Sequence, residues 1–143
     1  MKYLLVMIIF FNLACKVQKE YQKADERLTL LVQDGYFPLE NPETLVIKDA
    51  KSLKAFFSKI NQTRKPGLTI PEIDFKRQSV LVACIGAVNT SSLPTMYLKS
   101  ETMEEMTITV LMSDSKKEEG VQFYPFCVYS IVHGEKKIIL HME

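Results

Sequence analysis

One stretch limits the possible folds more than any other: Ser79-Val80-Leu81-Val82-Ala83-Cys84-Ile85-Gly86. Successive side chains of a strand point to opposite faces, so a strand with one wet face alternates apolar and polar residues. Here the apolar residues are consecutive. The stretch predicts a central strand covered on both sides, and the rest of the chain must supply the cover.

One helix is predicted. Asp49 or Ser52 can cap it, and Leu53, Phe56, Phe57 and Ile60 recur three and four residues apart. Lys51, Lys54 and Lys59 fall on the other side, and residues 61–67 carry helix breakers. Further strands are predicted at 27–33, 44–48, 96–100, 106–112, 122–132 and 137–142, with turn signals between them. Asn89 to Pro94 reads as a polar loop, and Ser113 to Gly120 as a charged one. His133-Gly134-Glu135-Lys136 reads as a tight hairpin turn from which the last strand returns. The expected class is α+β: a mostly antiparallel β-sheet of about seven short strands with one amphipathic helix packed on it.

The beginning of the chain carries an address. Lys2 precedes an apolar run from Leu4 to Phe11. A membrane-spanning helix needs about 20 apolar residues, so the run fits the core of a signal peptide better. Asn12-Leu13-Ala14-Cys15 resembles a bacterial lipobox, with Asn12 where an aliphatic residue is usual. That resemblance implies that residues 1–14 are a signal peptide. The Cys15 thiol would then carry diacylglycerol, and its amino group a fatty acyl chain such as palmitate. Two or more chains anchor stably, at about 0.8 kcal/mol per buried CH₂. Residues 15–26 then form the lipidated cysteine and a polar tether, and 27–143 a single domain. The expected location is the bacterial cell membrane or outer membrane, reached by export.

Charge narrows the function. The chain has 18 basic and 17 acidic side chains, and loss of Lys2 with the leader leaves 17 of each. A neutral domain lacks the basic footprint of a general nucleic-acid binder. Cys84 and Cys127 remain beside Cys15, both in predicted strands. An exported compartment permits a disulfide if those strands are neighbours, but two buried thiols are the expected state.

Catalytic patterns are sparse. His133 and His141 are the two histidines, and no Gly-x-Ser-x-Gly turn accompanies them. Cys84 lies within an apolar strand, where a thiol is inert. Glu101, Glu104, Glu105, Asp114, Glu118 and Glu119 fall in loop regions beside Lys99, Lys116 and Lys117, and read as solvated surface rather than a glycosidase pair. No Cys-x-x-Cys, His-Glu-x-x-His or acidic calcium loop is present, so neither a metal nor a cofactor is expected.

Over residues 43–142 the order of elements resembles the C-terminal domain of the protease-complex subunit PrcB family, which also occurs in bacterial lipoproteins. The likeness rests on Leu53, Phe56, Phe57 and Ile60 of the helix, on Ile73-Asp74-Phe75, on Val80–Gly86, and on Tyr124-Pro125-Phe126 with Val128. The family's Gly-Gly-Tyr after the central strand is replaced here by residues 87–96. The resemblance implies a non-catalytic protein that associates with a secreted protease or another envelope component.

Two surfaces are candidates for partner binding. Tyr124, Phe126 and Tyr129 belong to an aromatic-rich late strand, and tyrosine combines apolar area with a hydroxyl. The alternative is that such aromatics pack in the core. Asn89, Thr90 and Ser91 form an exposed polar loop of the kind that carries recognition. The expected function is therefore a non-catalytic, envelope-anchored lipoprotein acting as a protein-binding or accessory subunit. The alternative is a small-ligand or peptide-binding module, which needs a cavity between helix and sheet, a space that Phe56, Phe57 and Met112 could instead fill.

Overall fold

The computed structural model describes residues 25–37, 40–113 and 117–143. In chain order its elements are β1 (Leu28–Asp34), β2 (Glu43–Ile47), α1 (Ala50–Asn61), β3 (Gln78–Cys84), β4 (Pro94–Glu101), β5 (Glu105–Met112), β6 (Phe126–Val132) and β7 (Lys137–Met142). The class is α+β. The strands divide between two sheets, one ordered β1-β6-β3-β2 and the other β4-β5-β7. All pairs are antiparallel except β5 with β7.

β3 has the double cover that its sequence demands. Val80, Val82 and Cys84 face one core, shared with Leu53, Phe56, Phe57 and Ile60 of α1. Leu81 and Ala83 face the other, shared with Met106, Ile108 and Val110 of β5. The molecule is thus three layers: helix, four-stranded sheet, three-stranded sheet. β6 is likewise covered twice, with Phe126 and Val128 toward the helix and Cys127, Tyr129 and Ile131 toward the second sheet.

The helix starts where the Asp49 carboxylate accepts the Ser52 backbone N–H at 2.8 Å and the Ser52 hydroxyl at 2.7 Å. Those donors hold the Asp49 carboxyl below the usual range. Two phenylalanines cost helix propensity of less than about 0.7 kcal/mol each, whereas burying one gains about 1.5–3 kcal/mol. Packing therefore decides the element. At the last residue of the helix, the Asn61 side-chain amide donates to the Leu68 carbonyl at 2.9 Å and accepts the Leu68 N–H at 2.7 Å. Arg64 then grips both Asp34 carboxylate oxygens, at 3.0 and 2.7 Å, tying this loop to the end of β1.

Gly86, two residues past the central strand, has φ +79°, and a Cβ there would stand 2.7 Å from the Glu40 carbonyl oxygen. Glycine is required on both counts.

The last strand departs from expectation. The turn at His133–Lys136 is tight, with Gly134 at φ +60° and the Lys136 N–H donating to the His133 carbonyl at 3.3 Å. It is not a hairpin turn. β6 already has β1 on one edge and β3 on the other, so no edge is left for β7. The chain crosses to the second sheet and β7 pairs in parallel with β5.

A charge cluster fastens the layers where the expected tether meets the domain. Arg27 donates to Asp25 and to Glu101, and Lys136 also bonds Glu101. Strand β1, the end of β4 and the β6–β7 turn are joined by it. Arg27 and then Lys136 draw the Glu101 carboxyl down from an ordinary 4.5 to about 2, and the Arg27 guanidinium also lowers Asp25. A carboxyl with a depressed folded pKa contributes stability above its unfolded pKa and loses it as pH falls through the folded one. The stability difference between the native chain and Glu101→Gln should therefore be full near neutral pH and shrink between about 4.5 and about 2. Urea midpoints across that range, at low and high salt, measure it. A difference independent of pH would contradict the role given to this carboxylate.

Candidate functional site

The most reactive-looking group is His133. Its Nδ1 lies 3.1 Å from the Lys136 carbonyl oxygen, and its Nε2 lies 2.7 Å from the Ser79 hydroxyl. A carbonyl only accepts, so the neutral ring carries its proton on Nδ1 and Nε2 accepts from Ser79. A hydroxyl donating to an oriented imidazole is the first requirement of a serine nucleophile. Ser79 is 2 % exposed, however, so no substrate carbonyl reaches it. The pair pins the turn after β6 onto the start of β3. His141 stands exposed on β7.

The acidic groups are engaged or dispersed. Glu101 is paired as described, and Glu105 accepts from Lys137 at 3.2 Å. A carboxyl held near 2 cannot donate a proton at neutral pH, so Glu101 is no general acid. Asp114 lies outside the described residues. Among the described residues, no three His, Cys, Asp or Glu side chains gather in a metal-binding arrangement.

The aromatic surface expected of the late strand is corrected by its burial. Phe126 is fully buried in the helix-side core, and Tyr129, at 7 % exposure, packs in the other. They present no face to a partner, because β6 sits inside its sheet with a layer on each side. Tyr124 precedes the strand and is half-buried. Its ring meets Tyr36 edge to face at 5.9 Å, and its hydroxyl donates to Gln122 at 2.9 Å.

The polar loop is at the surface as expected, with Asn89 and Ser91 exposed and Thr90 half-buried. Asn89 and Thr90, with Val88, Gly120 and Gln122, line a shallow depression of about 570 Å³. The Asn89 carbonyl accepts the Glu118 N–H at 2.7 Å, so the two loops brace one another. Cys15 lies outside the described residues.

A second concavity of about 570 Å³ is a groove between the outer edge of β2 and the flank of α1. Of the three residues weighed for a helix–sheet space, Phe56 lines it, Phe57 is buried in the core and Met112 lies on β5 in the other sheet. Phe37, Leu45, Ile47, Ala55 and Phe56 give it apolar walls. Glu43, Lys48, Asp49, Ser52 and Lys59 form its rim. Phe37 stacks on Phe56 at 5.6 Å and meets Phe126 at 5.4 Å, so the floor is a fixed aromatic cluster. The Lys59 ammonium lies 5.9 Å from the Phe37 ring centroid. The local signal is modest: a strand joined to a helix by two residues, with Ser52, Ala55, Phe56 and Lys59 at helical spacing along one flank.

The fold is a small layered α+β domain with a groove between β2 and α1. No family model, curated protein or solved structure matches this chain.

Cys84 and Cys127 are buried and unbridged. β3 and β6 are neighbours, but Cys84 points to the helix-side core and Cys127 to the other. Side chains on opposite faces of a sheet cannot reach the separation a disulfide requires. Burial pushes both thiols up to about 12, so neither is a nucleophile at neutral pH. Alkylation of the unfolded, unreduced protein should modify both. A mass gain at these positions that appears only after reduction would contradict this arrangement.

Proposed function

We propose that this chain is a non-catalytic lipoprotein, anchored in the bacterial envelope through Cys15, that binds another protein through the groove between β2 and α1. The PrcB resemblance puts an envelope or secreted protein, such as a protease, first among the partners. The observation that carries the reading is the groove itself: apolar walls, a polar rim and an adjoining main-chain edge. Such a combination suits recognition of a polypeptide, with apolar pockets for affinity and a rim for orientation. The tether gives the domain reach from the membrane, and the clamp around Arg27 holds it where the tether enters.

A small ligand is the second reading, favoured by the groove's volume, which lies within the roughly 300–1,000 Å³ of small-molecule sites.

A photo-crosslinker placed at Ser52, in the groove, separates these readings in native membranes. One discrete envelope protein should be captured, with loss of the adduct in Ala55→Arg and no equivalent adduct from a crosslinker at Lys54. Cys15→Ser should move the protein out of the membrane fraction. Equal capture from both positions, or no discrete adduct, would contradict protein recognition by the groove. In the second case, stabilisation of the folded domain by a small molecule, read as a rise in Tm, would favour the ligand reading.

A further inference from the structure

We infer that the groove takes an uncharged, extended segment of its partner, which adds as a fifth strand of the larger sheet to the edge of β2 that no other described strand pairs with. This rests on the reading of the groove as the recognition site and names the chemistry of what it holds.

The edge comes first. β2 pairs with β3 over five consecutive residue pairs, Glu43 with Cys84 through Ile47 with Val80, without interruption. Among the described residues nothing pairs with its other side. Alternate residues of a strand turn their N–H and C=O groups to each side, so half of those in β2 face the groove. An edge of this kind is a template for another chain, and proteins blunt it with bulges, charges or prolines. The two other edge strands in antiparallel pairs are blunted that way. β1 has a register shift between Leu30 and Val32, and β4 has one between Leu98 and Ser100. β2 has no shift, and Thr44 to Ile47 contain neither charge nor proline. β7 is unshifted too, with six uninterrupted pairs to β5, so what singles out β2 is the groove beside it.

Side chains come second. A strand laid along β2 turns every second residue toward the helix layer. There it meets Leu45, Ala55 and Phe56, an apolar surface that takes apolar side chains.

Charge comes third. The lining holds two acids, Glu43 and Asp49, and two bases, Lys48 and Lys59. Its formal charge is zero. The Asp49 carboxylate is further occupied by the Ser52 donors. A charged side chain set on the apolar floor would lose its water with no net field to compensate it. The matching segment is uncharged. Since every pair in this sheet is antiparallel, the added strand runs antiparallel to β2.

The test uses the soluble domain with its tether and a defined peptide, acetyl-Thr-Val-Thr-Val-Thr-Val-amide, followed by backbone amide NMR. The expected result is saturable shifts across Glu43–Lys48 and along the Ser52, Ala55 and Lys59 flank, absent in Ala55→Arg and retained in Lys54→Ala. N-methylation of alternate residues removes the donors on one edge of the peptide. One methylation pattern should weaken binding by about tenfold or more and the other should not, because edge and face are linked in a strand. Replacing the valines with aspartate or with lysine should weaken it in both cases. Charged peptides that bind β2 as tightly would overturn the uncharged chemistry alone. Absence of any shift at β2, while the groove crosslinker still captures one envelope protein, would overturn strand addition and leave groove recognition standing. Absence of both would overturn the two together.

Discussion

The burial of β3 on both faces is the constraint from which the rest follows. Val80, Leu81, Val82 and Ala83 are all fully buried. Truncating a core side chain of this size costs roughly 2–5 kcal/mol, against a total stability of about 5–15 kcal/mol for a domain. A chain of this length cannot leave either face wet. It meets the demand with unlike layers, a single helix on one side and a three-stranded sheet on the other. β6, beside β3, shares the demand and is buried in the same way. The open positions of the larger sheet among the described residues are therefore its outer edges, β1 and β2, and β2 is the one with a groove beside it.

Polar contacts set how the layers sit on one another. The Ser79–His133 pair fixes the turn that sends β7 to the second sheet. The Arg27–Glu101–Lys136 cluster joins that turn to β1 and β4. Arg64 ties the loop after α1 to Asp34, which keeps Phe37 against Phe56 beneath the groove. Each of these contacts is structural, and each spends a group that reads in isolation as possible chemistry.

Much of the fold was legible. The helix showed itself through the spacing of Leu53, Phe56, Phe57 and Ile60 and through its Asp49 cap, because both signals are local. The double cover of β3 was legible because alternation was missing. The same signal was present in Phe126-Cys127-Val128-Tyr129, where consecutive apolar residues mark a strand covered twice rather than a binding face. The path of β7 was not legible. A tight turn at Gly134 looks the same whether the next strand returns or crosses, and which edges of β6 remain open is a long-range matter. The division into two sheets is hidden for the same reason. The position of the groove is not legible because its defining property is an edge that no other described strand pairs with, and no residue of Thr44 to Ile47 announces what fails to pair with it. Asn89 and Ser91 stand at the surface, as their polarity implies, while Thr90 is half-buried.

Native-state hydrogen exchange tests the central claim, a doubly covered β3 beside an open β2 edge, most directly. Amides of β3 and β6 should exchange slowest, at rates set by global unfolding. In β2, the amides bonded to β3 should be protected while the alternate ones facing the groove exchange far faster. Uniform protection along β2, equal to that of β3, would mean that its edge is already covered and would contradict the account.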